Sequence, residues 1–264
     1  MALRSALMTV MVAAAEKAAK ALKRDFGEVE QLQVSRKGPS DYVSAADIKT
    51  EKMLVAELTK ARPHFGFVLE EGGTIAGTDT EHRWIIDPID GTTNFLHGIP
   101  HFAMSIALQR GDEIMAGVVY NPITEDWFIA EKGIGAFHNN RRMRVSARRN
   151  LDDAVVATGI PHKGCPGHDV FIQQSQRVMS ATAGIRRFGT ASLDLAFVAA
   201  GRFDAYWEMG LKPWDIAAGV LLVQEAGGFS ADLHGPGSPL LTGNILATNA
   251  DLHSPLRKCI LGQS

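Results

Sequence analysis

Apolar residues recur at intervals of three and four through Leu3, Leu7, Val10 or Met11, Ala14, Ala18 and Ala21 or Leu22, with Glu16, Lys17, Lys20, Lys23 and Arg24 on the other side. That rhythm predicts an amphipathic first helix. Phe26 to Ser40 reads as a polar connector broken at Gly38-Pro39, and Asp41 to Leu58 as a second helix with Ala46, Met53, Leu54 and Leu58 inward. Shorter apolar runs follow at Phe65–Leu69 and Trp84–Ile86, each read as a buried strand. Phe102–Leu108, Ile114–Tyr120 and Trp127–Ala130, parted by turn residues, predict an antiparallel meander. Val155–Thr158 and Phe203–Met209 read as strands, and Val170–Met179, Ser192–Ala200 and Ile216–Ala226 as helices, the last two closed by Gly201 and Gly227-Gly228. Helix and strand therefore alternate in a mixed α/β chain.

The candidate chemistry lies where the pattern breaks hardest, in Trp84 to Pro100, WIIDPIDGTTNFLHGIP. Asp87 and Asp90 flank Pro88, and Gly91, Thr92, Thr93 and Asn94 follow before apolar residues resume. The order predicts a strand that ends at Pro88 and turns into a helix N-terminus. Carboxylates on one side and free N–H groups on the other suit a hard cation and a phosphate together. On residue type alone, the same aspartates also suit a turn in which they bond their own backbone. Three further acidic positions carry the same double reading. Asp47 near a helix start can settle the helix dipole, Glu70 can belong to an exposed acidic loop, and Asp215 sits where an N-cap belongs.

The stretch W-I-I-D-P-I-D-G-T-T-N-F closely resembles the signature of the inositol monophosphatase family of Mg²⁺-dependent, lithium-sensitive phosphatases. Asp47 in SAADIKTEKM, Glu70 in FVLEEGG and Asp215 in KPWDIAAG match in the family's order, supported by GTASLDLAFVAAGRFDAYWEMG. The likeness covers nearly the whole chain, and the bacterial extragenic suppressor branch is the nearest in character. Leu69 stands where most relatives have glycine, a departure in the loop before the acidic pair.

The resemblance implies an α+β fold, a layered αβαβα sandwich of the inositol monophosphatase and fructose-1,6-bisphosphatase type. An N-terminal half, 1–145, would carry most metal ligands, and 146–264 would complete the site. It implies Mg²⁺, two or three ions per site, with Mn²⁺ as an alternative. Glu70, Asp87 and the Ile89 carbonyl would hold the first ion, Asp87, Asp90 and Asp215 the second, and Glu70 would share a third through water. Thr92, paired with Asp47, would prepare the attacking water, and the Gly91 and Thr92 N–H groups would hold the phosphate. Glu208 would accept from the hydroxyls of a polyol and Gly189 and Ala191 would let its ring approach the backbone, with an exposed strand-end glutamate and a helix-entry glycine as the plain alternatives; Lys37 would face the metal region or else stand solvated.

The implied activity is hydrolysis of myo-inositol 1-phosphate or a related phosphate monoester. Fructose bisphosphate, NADP, histidinol phosphate and phosphoadenosine are alternative substrates. A different class of function, a regulatory partner of RNA polymerase in ribosomal RNA transcription, is implied by the suppressor branch. Its local motive is the arginine-rich stretch Arg141, Arg142, Arg144, Arg148 and Arg149, which otherwise reads as solvated surface. The family also implies a homodimer.

Bulk properties narrow this little further. A formal net charge of -2 over 264 residues sets up no global basic field for nucleic acid or membrane. Cys165 and Cys259 show neither zinc nor disulfide spacing, consistent with a reducing compartment. Ala6–Ala15 after Arg4 imitates a signal peptide, but the helical charge pattern continuing beyond it argues for a cytoplasmic protein. No apolar run is long enough to span a membrane.

Overall fold

A computed structural model describes residues 5–29, 34–38 and 41–263; Leu3 and the side chain of Lys37 lie outside the described residues. Helix α1 (Ala6–Gly27) follows the predicted rhythm and starts at Ser5, whose hydroxyl accepts from the Met8 N–H at 3.0 Å. Within the stretch expected to be a connector, Val34–Gly38 is strand β1, paired antiparallel with β2 (Asp41–Ser44), which the expected second helix had included. Helix α2 (Ala45–Ala61) accordingly begins later than its apolar spacing implied. The reason is Ser44, which accepts from the Ala46 N–H at 3.2 Å, while Asp47 reaches back to the Ser44 N–H at 2.8 Å. This reciprocal capping box fixes the helix start.

The remaining elements are β3 (Gly66–Leu69), β4 (Gly73–Ile75), β5 (His82–Asp90), α3 (Thr92–Leu96), β6 (Ala103–Arg110), β7 (Glu113–Asn121), β8 (Asp126–Glu131), β9 (Gly135–His138), β10 (Arg141–Arg142) and β11 (Val155–Thr158). Then come α4 (His168–Ala181), β12 (Gly184–Arg186), α5 (Ala191–Ala199), β13 (Ala205–Glu208), α6 (Pro213–Glu225), β14 (Phe229–Asp232), α7 (Pro239–Thr242), β15 (Ile245–Thr248) and α8 (Ala250–Leu261). An eight-stranded sheet runs β10-β9-β8-β7-β6-β5-β3-β4, and a five-stranded sheet β12-β11-β13-β15-β14. The predicted meander is β6 to β8, antiparallel throughout.

Residue alternation along the strands sorts the core into layers. Trp84 and Ile86 of β5 pack with Met11, Leu22, Leu54 and Leu58 of α1 and α2. Ile85 between them points the other way, to Leu195, Ile216 and Leu221 of α5 and α6, which also receive Tyr206 and Ala247 from the second sheet. The far face of that sheet, Val156, Trp207 and Leu246, packs on Val178 of α4 and Leu256 of α8. The layers thus run αβαβα, as the resemblance implied. Buried on both faces, the middle of β5 is the apolar run Trp84–Ile86.

Helices α5 and α6 are apolar almost all round because a sheet lies on either side of them. They cross closely at Gly219, where a Cβ would stand 2.5 Å from Leu195 Cδ1.

Two expected boundaries are corrected. Strand β5 does not stop at Pro88 but continues to Asp90, with its pairing to β6 shifting between Asp87 and Asp90. Proline, which donates no ladder bond, is accommodated at that irregularity. Asp215 is not the N-cap of α6. Pro213 takes the first turn and Lys212 the cap, so Asp215 is the third helical residue, accepting from the Lys212 N–H at 2.7 Å.

Candidate active site

Register brings the acidic residues to one place. Strands β3 and β5 run parallel with Leu69 opposite Ile86, and the Glu70 N–H bonds the Ile86 carbonyl at 3.2 Å, so Glu70 and Asp87 emerge side by side. The chain past Pro88 is fixed locally by the Ile89 N–H donating to Asp87 Oδ1 at 2.9 Å. Asp90 crosses to the C-terminal half, where its Oδ2 accepts from the Ser192 N–H in the first turn of α5 at 2.6 Å. Gly91 then turns with φ 95°, and a Cβ there would lie 2.5 Å from Thr190 Oγ1, so glycine is required on both counts.

Thr92 opens α3, its hydroxyl 3.0 Å from the Ile89 carbonyl and 3.3 Å from Asp47 Oδ1. Asp47 is fully buried, and its other oxygen accepts from the Ser44 hydroxyl at 2.5 Å as well as the Ser44 N–H. Burial pushes the Asp47 carboxyl up to about 6, against the opposing effect of the Ser44 bonds. A hydroxyl has one proton to give, so Thr92 directs it either to Ile89 or to Asp47.

The acidic set is strongly repulsive. Burial holds Asp87 well above the carboxylate range, and the charges of Glu70, Asp90 and Asp215 add to it, together with a hydrogen bond between the Glu70 and Asp87 side chains. Asp215 is raised in the same way by burial, then by Asp90, Glu70 and Glu208, and burial lifts Asp90 to about 6 against the Ser192 bonds. No basic side chain appears among the principal influences on these three groups.

Among the described residues no three His, Cys, Asp or Glu side chains close to coordination spacing. The four carboxylates nevertheless act on one another electrostatically. Like-charged, oxygen-only donors, of which Asp87 and Asp90 are buried, fit a hard divalent cation, which would draw them inward.

On the other side of the cleft, Glu208 ends β13 and accepts from the Tyr206 hydroxyl. Burial raises its carboxyl to about 7, and the Asp90 charge contributes in the same direction. Its carboxylate lies against Gly159, where an added Cβ would meet Oε1 at 1.9 Å. Gly189 has φ +80° and lies under the Arg187 guanidinium, and Ala191 is the first residue of α5.

The structure therefore places Glu70, Asp87, Ile89, Asp90, Gly91, Thr92 and Asp47 around one turn. Asp215, Glu208 and Ala191 face it from the C-terminal half, and Gly189 lies one step behind Thr190. Sequence reasoning passed over several residues that hold these in place. Ser44 was detectable from the spacing of S-A-A-D, a capping-box pattern. Ser105, whose hydroxyl donates to the Trp214 carbonyl at 3.1 Å beside Asp215, had no local signal, nor did Gly159. Asp194 is equally silent in sequence: buried in α5, its Oδ1 has no hydrogen-bond partner among the described residues, and burial followed by the Glu208 and Asp90 charges holds its carboxyl well above the usual range.

The arginine-rich stretch is partly neutralised. Arg148 approaches Asp204 at 3.6 Å and Arg149 approaches Asp251 at 3.5 Å, while Arg142 lies 6.0 Å from the Phe137 ring.

This arrangement has close relatives. The family model described as "Inositol monophosphatase family" matches residues 3–262. The chain belongs to that family. An inositol-1-monophosphatase of Rhizobium meliloti (strain 1021) is 58% identical over 257 residues, covering 97% of each chain. A protein named Nus factor SuhB from Pseudomonas aeruginosa is 43% identical over 247 residues, covering 92% of this chain and 91% of its own. Among solved structures, the extragenic suppressor protein suhB of Bartonella henselae superposes with a TM-score of 0.94 at 57% identity, covering 97% of this chain and 98% of that one. As a member of the inositol monophosphatase family the protein is a phosphatase, and the family is generally metal-dependent.

Proposed function

We propose that the protein is a Mg²⁺-dependent phosphomonoesterase that releases phosphate from myo-inositol 1-phosphate or a closely related polyol phosphate. The observation that carries this reading is the convergence of Glu70, Asp87, Asp90 and Asp215, mutually repelling and with Asp87 and Asp90 buried, beside the Thr92–Asp47 pair. The relatives named inositol-1-monophosphatase support the choice of substrate.

In this reading Glu70, Asp87 and the Ile89 carbonyl would hold one Mg²⁺, and Asp87, Asp90 and Asp215 a second. Glu70 would share a third, and Mn²⁺ would be able to substitute. When bound, these ions supply positive charge to the phosphoryl and leaving oxygens and lower the pKa of water. The chain's own residues do the rest. Thr92 Oγ1 donates to Asp47 Oδ1, which leaves the Thr92 oxygen free to accept a proton from the attacking water. Asp47 is the base behind it, since a threonine hydroxyl alone is far too weak. Ser44 keeps the Asp47 carboxylate aimed.

The Gly91 and Thr92 N–H groups at the start of α3 face the phosphate. Glu208 accepts from ring hydroxyls, and Gly189 and Ala191 let the ring approach the backbone. The half to about residue 145 supplies most metal ligands, and the rest of the chain completes the site. Lithium inhibits by competing for a metal position.

The test is phosphate release from a panel of myo-inositol 1-phosphate, fructose 1,6-bisphosphate, NADP, histidinol phosphate and phosphoadenosine phosphate, with and without Mg²⁺. Turnover of the inositol ester that is undiminished by Asp90→Asn would end the assignment.

A second reading, a regulatory partner of RNA polymerase, draws on the likeness to a protein named Nus factor SuhB. Its surface would centre on the exposed Arg141 and Arg144, since Arg148 and Arg149 face aspartates. Capture of RNA polymerase that disappears on changing both to Gln supports it, and unchanged capture removes that surface from consideration. A cytoplasmic homodimer accompanies either reading and is checked by light scattering. Among the described residues no helix is long and apolar enough to cross a membrane.

A further inference from the structure

Asn94 carries none of the roles above, yet its side chain joins the two sides of the cleft. It lies in α3 and is buried. One Nδ2 hydrogen goes to the His101 carbonyl at 2.7 Å, on the chain just past α3. The other goes to the Phe188 carbonyl at 2.8 Å, across a sequence separation of 94 residues. Thr190 reinforces the joint, its hydroxyl donating to the same His101 carbonyl at 3.0 Å. Directly beneath, Gly91 and Thr190 are so close that no side chain fits between them. The joined segment passes through Gly189 into Ala191 and Ser192, and the Ser192 N–H holds Asp90.

We propose that Asn94 is a positioning residue: it pins Phe188–Ala191 against the Gly91–Thr92 turn and so sets the affinity for the ring-hydroxyl part of the substrate without touching it. The residue type fits the task. A neutral planar amide on a short stem offers two donors in fixed directions, whereas serine offers one and an ionised aspartate none. The two nearer acceptors are backbone carbonyls, with the Thr190 hydroxyl a third at 3.5 Å, so the joint holds the course of the chain and not merely a neighbouring side chain.

The inference rests on the phosphatase reading for its substrate, and the experiment separates the two. Asn94→Leu keeps the number and branching of the heavy atoms and removes both donors. Hydrogen–deuterium exchange of the peptide 188–193 should accelerate about tenfold, with that of α2 unchanged. The KM for myo-inositol 1-phosphate should rise about tenfold, while kcat for 4-nitrophenyl phosphate, which has no ring hydroxyls, stays within about twofold. Thr190→Val, nearly isosteric, should move both readouts the same way by less, and it decides the matter if Asn94→Leu does not fold.

Unchanged exchange at 188–193 would overturn the proposal. So would an equal loss of kcat on both esters with KM unmoved, which would place Asn94 in the catalytic turn itself. A wild type that leaves inositol 1-phosphate intact would refute the functional reading and leave Asn94 to be judged by exchange, which needs no substrate.

Discussion

Replacing Gly159 by alanine tests the polyol side of the cleft at a position no motif marks. The added Cβ would stand 1.9 Å from Glu208 Oε1 and 2.0 Å from its Cδ. Glu208 must then retreat by about 1.5 Å to restore van der Waals separation. That movement breaks the bond from the Tyr206 hydroxyl, and an intramolecular hydrogen bond contributes about 0.5–1.5 kcal/mol. Gly159 itself has no left-handed φ to lose, so alanine is otherwise tolerated at this backbone and favours the fold by roughly 0.4–1 kcal/mol through the unfolded chain. The three atoms nearest an added Cβ all belong to Glu208.

Steady-state kinetics on myo-inositol 1-phosphate should show kcat/KM down about 10- to 100-fold, and thermal melts should show a loss of about 1–3 kcal/mol from overpacking. The decisive measurement is the double-mutant cycle. On a Glu208→Ala background the same Gly159→Ala change should cost no further activity and should stabilise slightly, reversing its sign. If Gly159→Ala costs as much with Glu208 gone as with it present, the carboxylate is not where the structure puts it, and the proposed polyol contact fails with it.

Asp87→Asn should leave the metal-free protein at least as stable as wild type, because it removes one of several buried like charges. Differential scanning fluorimetry should also show that Mg²⁺, which at a hundred times its Kd should add about 2.7 kcal/mol to the wild type, no longer raises the variant's Tm. Thr92→Ala should lower kcat by roughly 10²- to 10⁴-fold with Thr92→Ser largely restoring it, and equal losses in both would deny the hydroxyl its part. Ser44→Ala should cost about 1 kcal/mol by urea unfolding as α2 loses its cap, and kcat should fall as Asp47 is freed. Unaltered kcat would show that the cap and the chemistry are independent.

The alternation of helix and strand was legible because the two have distinct periods, with Trp84–Ile86 of β5 a plain apolar run, while the layered αβαβα order was implied by the family resemblance. The boundaries that escaped were set by single residues acting against local trend. Pro88 looked like a stop, yet β5 absorbs it where the pairing to β6 shifts. Asp215 looked like a cap because it follows a tryptophan and precedes an apolar run, but Pro213 in the first turn moves the cap back to Lys212. The β1–β2 hairpin carries too weak an alternation to stand out beside Gly38-Pro39.

In the site, the acidic residues were readable because the four motifs that carry them match the family's in order; on residue type alone each also suited a cap, a turn or an exposed loop. The groups that aim them were not readable, because Asn94, Ser105, Gly159 and Ser192 act on partners far away in the chain. Nothing local distinguishes an asparagine bonded across 94 residues from one at a surface turn.

The close crossing of α5 and α6 at Gly219 makes the middle layer a gauge block for the chemistry. Asp90 is tethered to the leading end of one helix, and Asp215 belongs to the leading end of the other. The gap between these two rods therefore sets how far apart two acidic anchors stand, many residues from the contact that determines it. A single methyl group inserted at Gly219 would widen the bite of the cleft without altering any residue that lines it.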